Sequence, residues 1–370
     1  MKQGPPPALR FLDEAIVAAE RASLLRTRPK AATGLELTFC SNDYLGLAMR
    51  PPPARPAGAG ASRLVAGERP DHVELERVSA GLVGLASALV FSSGYAANVG
   101  LMSALAGPED LIVSDALNHA SIVDGARLAR ARVVVVPHLD VGAVERALVE
   151  HARRRAFVVT ESYFSMDADS PDLAAMRRVC DAHSAALIVD ESHALGVLGP
   201  AGRGLCAAAG VEPDALVGTY GKAFGAGGAF VAGCPSLITW LWNRARSFVF
   251  STGLSPAVAA AATAGIRAAE AEPQRRERAL AAARQLREGL LSLGIRPLGW
   301  GHIVPWVLGD PAAAVQASQA LQADGIDVRA IRPPSVPRGT ARLRFAMSAA
   351  HQGSDIERVI GAVSRIVRGH

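Results

Sequence analysis

Lysine is almost absent from this 370-residue chain: Lys2, Lys30 and Lys222 are the only three among 39 basic residues. Chemistry that needs a primary amine therefore has few candidates. Cysteine is nearly as sparse, at Cys40, Cys180, Cys206 and Cys234, with no metal-ligand spacing and no dense framework. That pattern argues against disulfides and a zinc site and for a reducing cytoplasm. An apolar signal core is missing from the N-terminus, where three prolines precede an amphipathic, acid-containing helix, so no export signal is expected. Uninterrupted apolar spans are missing too. The uncharged stretches Val78–Pro108 and Ala223–Asn243 exceed the ~18 residues that flag a membrane helix, but Ser92-Ser93-Gly94 breaks the first, and Gly225, Gly227, Gly228 and Pro235 break the second. Both read as buried strand-loop-helix units. The net charge of +5 is not concentrated in any one stretch, which argues against nucleic acid and leaves room for an anionic substrate or partner.

What is present is ordinary globular composition, 50% hydrophobic and 20% charged, which excludes a disordered or fibrous chain. At ~150 residues per domain the length predicts two to three domains' worth of chain. Short β-branched runs alternate with Ala/Leu/Arg helical stretches. The runs 87–91, 111–114, 132–137, 157–161, 186–190, 215–219 and 229–233 read as strands, with helices such as Val141–Arg153 and Leu173–His183 between them. Near-continuous apolar strands joined by helices indicate an α/β fold, a mostly parallel sheet covered on both faces. Ligands of such sheets bind at the carboxyl ends of strands, which directs attention to Ser114, Glu161, Asp190 and Thr219.

After about Glu270 the texture changes. A long Arg/Glu/Ala helix (Gln274–Leu293), the apolar run 303–308, a helix Ala312–Asp324, the runs 327–331 and 341–347, and a last helix Ile356–Val367 read as a smaller C-terminal α+β domain. The expected organisation is an N-terminal segment 1–48, a large α/β domain 49–272 and a C-terminal domain 273–370. The Pro-rich segment 50–61 reads as a linker or a loop over the site.

Lys222 sits in GTYGKAFGAGG, directly after a predicted strand, among glycines that let a backbone approach a ligand. A lysine held in apolar company is suited to Schiff-base chemistry, because desolvation releases the nucleophilic amine. Asp190 ends a strand and opens DESH, three residues before His193. Pyridoxal phosphate needs a carboxylate to keep its ring nitrogen protonated, though an Asp here also reads as a cap for the next segment. The segment 92–98 (SSGYAAN) opens a helix whose free N–H groups suit a phosphate. His119, in DALNHAS, is placed to stack on an aromatic cofactor or to serve structurally. Each is ambiguous alone; Asp190, His193, Thr219 and Lys222 on successive strand ends favour a joint site.

These residues carry a resemblance to the α-oxoamine synthases, pyridoxal-phosphate enzymes of fold type I. The matching blocks are SNDYLGL (41–47), SSGYAAN (92–98), NHASI (118–122), TESYFSMDAD (160–169), DESH (190–193), TYGKAFG (219–225), FSTGLSP (250–256) and AIRPPSVPRGTARLRF (330–345), which span almost the whole chain. The last block is most like the members that join L-alanine to a pimeloyl thioester, carried by coenzyme A or a carrier protein. The resemblance implies a mostly parallel seven-stranded sheet, a homodimer with its site at the interface, and a decarboxylative condensation. It also implies roles. Lys222 would hold pyridoxal 5'-phosphate and shuttle the Cα proton, Asp190 would face the ring nitrogen, His193 the phenolic oxygen, and His119 the ring face. Glu161 and Ser165 would lie at the cofactor, Gly94, Tyr95 and Thr219 at its phosphate end, and Thr252 would reach a phosphate across the dimer. Arg26 and Ser335 match substrate-binding positions, while Asn42 and Arg344 match those holding the amino-acid carboxylate. The chain departs from the usual family pattern in HALG (193–196), in Ser335 where threonine is commoner, and in a shorter Pro-rich segment after Leu47.

Overall fold

The computed structural model describes residues 7–9, 11–26 and 37–368. Lys2 and Lys30 lie outside the described residues. Helix α1 (Phe11–Arg21) is followed by β1 (Leu37–Thr38) and α2 (Pro70–Val83). Strands and helices then alternate: β2 (Ser87–Phe91), α3 (Gly94–Leu105), β3 (Leu111–Asp115), α4 (Ala120–Ala129), β4 (Arg132–Val136), α5 (Val141–Glu150), β5 (Ala156–Glu161) and α6 (Leu173–Ala182). The alternation continues with β6 (Ala186–Asp190), α7 (Leu205–Ala209), β7 (Ala215–Thr219) and β8 (Ala229–Gly233). Helices α8 (Pro235–Arg244), α9 (Arg246–Val249), α10 (Pro256–Ala271) and α11 (Gln274–Ser292) lead into the C-terminal part. That part comprises β9 (Ile303–Gly309), α12 (Pro311–Ala323), β10 (Ile326–Asp327), β11 (Ala330–Ile331), β12 (Ala341–Ala346) and α13 (Gly353–Arg368).

The seven expected runs form one seven-stranded sheet of order β2-β8-β7-β6-β5-β3-β4. Only β8 runs against its neighbours β2 and β7; the pairs β7-β6, β6-β5, β5-β3 and β3-β4 are parallel. β3, β7 and β8 are buried along their whole length, which is why their sequences are continuously apolar rather than alternating. One face packs Leu101, Ile122 and Leu241 of α3, α4 and α8 against Phe91 and Val231; the other packs Leu75 and Ile266 of α2 and α10 against Val90 and Phe230. Helices begin where short polar side chains take the orphan N–H groups: Ser93 for α3, Asp140 for α5, Asp172 for α6 and Asp310 for α12. Helix α5 stops three residues short of the expected Arg153. The chain is already turning into β5 there, with Arg154 N–H bonded to Glu109 O and Arg155 paired with Asp110 at 2.6 Å.

The C-terminal part has its own antiparallel sheet, β11-β12-β9, and its own core containing Leu286, Val304, Leu343, Phe345 and Val359. Phe39, from the other end of the chain, completes that core, because β1 pairs in parallel with β10. The run 327–331 is two strands rather than one: β10 binds β1 and β11 binds β12, so the chain changes partner at Val328–Arg329. The Pro-rich segment 50–61 is coil, tied by Arg50 to Glu272 at the end of α10 and by Arg55 to Asp71 of α2.

Candidate active site

Because β7, β6, β5 and β3 are adjacent and parallel, Thr219, Asp190, Glu161 and Asp115 finish side by side at one edge of the sheet. The loop after β7 brings Lys222 over that edge. Thr219 steadies the loop, its hydroxyl donating to Gly228 O at 3.0 Å and accepting Gly221 N–H at 3.2 Å. Beneath it, Ala194-Leu195-Gly196 follow β6 in a tight turn. Gly196 has φ +83°, and a Cβ there would lie 2.7 Å from Ala223 Cβ, so the final residue of HALG must be glycine.

Lys222 is part-exposed, but its amine lies inward, 2.9 Å from His193 Nε2. Burial of that end lowers the ammonium pKa to about 8 against the opposing pull of Asp190 and Glu161. His193 is itself buried, and burial together with the Lys222 charge pushes its pKa well below the ordinary imidazole value. Its other nitrogen, Nδ1, lies 2.8 Å from Tyr44 Oη. Arg344 then continues the line: Nη2 donates to Tyr44 Oη at 3.2 Å, both terminal nitrogens donate to Asn42 Oδ1 at 3.1 Å, and Nε donates to Ser165 O at 2.7 Å.

A second line runs through Asp190. Its Oδ1 accepts Ser192 N–H and its Oδ2 accepts Asn98 Nδ2, both at 2.8 Å. Asn98 also donates to Ser121 Oγ at 3.0 Å, which leaves the Ser121 proton for His119 Nδ1 at 2.7 Å. The carboxylate and the imidazole expected to face the cofactor are thus joined by Asn98 and Ser121. Glu161 accepts the backbone N–H of His119 at 2.8 Å. Burial, reinforced by the Asp190 charge, raises its pKa.

His119, Glu161, Ser165 and Ser335 line one cavity of about 510 Å³. At its margin Arg26 Nη2 donates to Ser335 Oγ at 3.2 Å, uniting two expected substrate residues. Gly94 and Tyr95 form the first turn of α3, and their N–H groups have no partner among the described residues. The Tyr95 side chain is half-exposed and donates to Asp124, which lines the same cavity as His119, at 2.7 Å. Thr252 lies beside Ser92 in the loop before α10. Arg342 and Arg344 are both buried on β12, the middle strand of its sheet, so neither is an edge-strand arginine in solvent.

This donor set fits pyridoxal phosphate. An inward amine, a buried carboxylate, an open imidazole and two unpaired N–H groups at a helix start match its aldehyde, ring nitrogen, ring face and phosphate. Sequence reasoning assigned no role to Tyr44, Asn98 or His138. Tyr44 and Asn98 stand within quoted motifs; His138 stands outside them. It contacts Asp115 at 2.8 Å and Asp169 at 3.2 Å, clamping two loops of the cavity wall.

The family model described as aminotransferase class I and II matches residues 36–363. An 8-amino-7-oxononanoate synthase of Anaeromyxobacter dehalogenans (strain 2CP-1) is 46% identical over 343 residues, covering 90% of this chain and 86% of its own. Another, of Alkalilimnicola ehrlichii, is 43% identical over 383 residues, covering 97% and 98%. The solved serine palmitoyltransferase from S. paucimobilis with bound PLP-myriocin aldimine is 30% identical, with a TM-score of 0.89 over 100% of both chains.

Proposed function

The chain belongs to the aminotransferase class I and II family, and we propose that it joins L-alanine to a pimeloyl thioester, giving 8-amino-7-oxononanoate, CO2 and free thiol in biotin biosynthesis. The observation that carries the substrate assignment is the shared identity of relatives 43% and 46% identical over at least nine-tenths of this chain. The chemistry is supported by the Lys222–His193 contact with Asp190 and His119 beside it. When bound, pyridoxal phosphate supplies an electron sink for negative charge at the alanine Cα.

The protein's own groups do the rest. Lys222 would bind the cofactor, and burial, which lowers its ammonium pKa to about 8, brings release of the amine that takes and returns the Cα proton nearer to neutral pH. Asp190 would face the ring nitrogen, His193 the phenolic oxygen, and His119 the ring face. Glu161 fixes the His119 backbone and Ser165 borders the cofactor. Gly94, Tyr95 and Thr219 would take the phosphate end. Arg344 and Asn42 hold the alanine carboxylate, while Arg26 and Ser335 contact the acyl substrate at the cavity margin.

The domains divide this work: residues 49–272 carry the cofactor pocket, 273–370 supply Arg344 and Ser335, and 1–48 supply Arg26 and Asn42. The protein acts as a homodimer with the site at its interface, Thr252 reaching the neighbouring phosphate. Phe250, 72% exposed in the same loop, supports a covering partner. Among the described residues no helix is long and apolar enough to cross a membrane, and the four thiols are free, which supports a cytoplasmic setting. The acyl carrier is coenzyme A or an acyl carrier protein.

Incubation with pimeloyl thioester and L-alanine, glycine or L-serine in competition, with mass analysis of the product and assay of released thiol, tests this reading. The expected product is 8-amino-7-oxononanoate from alanine. Preferential consumption of glycine or serine assigns a sister synthase, and transamination without thiol release removes the synthase reading.

A further inference from the structure

Tyr44 is fully buried, and its hydroxyl touches three polar groups: Asn42 Oδ1 at 3.1 Å, His193 Nδ1 at 2.8 Å and Arg344 Nη2 at 3.2 Å. It has one proton to give. Asn42 Oδ1 already accepts from both terminal nitrogens of Arg344, and Arg344 also donates to the hydroxyl oxygen. The shorter contact, to a ring nitrogen with no other partner among the described residues, is where the phenolic proton goes. We propose that Tyr44 is a positioning residue, donating to His193 Nδ1 so that the imidazole keeps its own proton on Nε2, aimed at Lys222, while Arg344 holds the hydroxyl in place.

A neutral imidazole carries one N–H, and the bond made by one nitrogen decides what the other presents. With Nδ1 accepting, Nε2 is a donor, 2.9 Å from Lys222 Nζ. That suits the free amine, which accepts, and the phenolic oxygen that His193 is assigned to face. The opposite tautomer would set the Nε2 lone pair against that oxygen. Among the described residues no other group lies within hydrogen-bond reach of His193 Nδ1. His302 packs edge-on to the Tyr44 ring at 4.2 Å, but neither of its nitrogens has a partner. The hydroxyl also links the His193–Lys222 pair to the guanidinium assigned to the alanine carboxylate, so the inference rests on the proposed roles of Lys222 and Arg344 for its kinetic and absorption readouts, while the tautomer stands on the geometry alone.

Tyr44→Phe keeps the ring and removes only the hydroxyl. The test uses holoenzyme with 15N-labelled histidine, His193 being identified by comparison with His193→Gln. In the parent, His193 is expected as the Nε2–H tautomer. In Tyr44→Phe, the Nδ1–H form should appear, and the pH midpoint of the cofactor's visible absorption without substrate should move by about half a unit or more. Turnover should fall about tenfold, with the alanine KM within about twofold. An Nδ1–H tautomer in the parent overturns the proposal without any variant. So do an unchanged tautomer and absorption titration in Tyr44→Phe, or a raised KM at unchanged kcat, which would mean that Tyr44 serves only Arg344. The tautomer is legible even if no visible band forms, so a missing band overturns the cofactor reading and leaves the Tyr44 assignment to be decided by the nitrogen spectrum.

Discussion

Arg342 and Arg344 leave the same face of β12 two residues apart, yet they close on different partners. Arg342 donates to Asp167 at 2.8 Å and to Met166 O at 2.6 Å, whereas Arg344 reaches Ser165 O, Asn42 and Tyr44. Strand alternation places both side chains inward; only what lies opposite distinguishes them. Arg342 braces the cavity wall, and Arg344 faces the lysine line.

Arg344→Ala should therefore raise the alanine KM at least tenfold, since a charge-assisted pair is worth ~1.5–3 kcal/mol. Arg342→Ala should leave KM nearly unchanged and lower the Tm by several degrees, because it strands Asp167 beside a void. Steady-state kinetics and thermal melts on both variants check this. Equal KM effects would place the carboxylate elsewhere.

Lys222→Ala should abolish turnover and remove the cofactor's visible absorption. Losing both the attachment point and the proton shuttle should exceed the ~10²–10⁴ typical of one general base. A residual rate above about a hundredth of the parent would reassign the amine.

Asp190→Asn should retain cofactor through the contacts at its phosphate end but lose most of the condensation rate. Both Asp190 oxygens accept, one from Ser192 N–H and one from Asn98 Nδ2. An amide at 190 must set an NH2 against one of these donors, besides losing the charge that keeps the ring nitrogen protonated. Cofactor content and single-turnover rates separate the two effects, and normal kinetics would make Asp190 a structural cap.

His138 predicts a pH dependence of stability. Burial disfavours its charge, but the bonds to Asp115 and Asp169 outweigh burial and raise its pKa from 6.5 to about 10. A raised folded-state value means that stabilisation is full below about pH 6.5 and is lost as pH climbs through about 10. His138→Gln should accordingly lower the Tm by roughly 2–5 °C near pH 6, with the gap to the parent closing toward pH 10. A constant gap across that range would assign the loss to packing.

The seven strands of the large sheet were legible because each is a compact apolar run, a signal contained in five or six neighbouring residues; six are largely buried, and the edge strand β4, though exposed along much of its length, keeps the β-branched run. Lys222 was legible through scarcity, as one of three lysines. Asp190 and Thr219 were legible as polar ends of apolar strands. Boundaries set by distant partners were not: beyond α5 the backbone pairs with the approach to β3, Arg154 N–H meeting Glu109 O and Leu111 N–H meeting Arg155 O, and the run 327–331 divides because its halves bind β1 and β12.

Tyr44 shows the same limit in the site. In the sequence it stands only as the aromatic of SNDYLGL, with no role legible there, and its ring is buried. Its hydroxyl acquires meaning only from His193, 149 residues away, and from Arg344, 300 away. Arg26 and Ser335, 309 residues apart, meet for the same reason. The sequence by itself determined the sheet, the amine and the strand-end carboxylates, because propensity and burial periodicity act over a few residues. Which hydrogen-bond donor meets which acceptor, and hence where a tautomer or an arginine points, was decided only by tertiary structure, because hydrogen bonds act over about 3 Å of space whatever the separation along the chain.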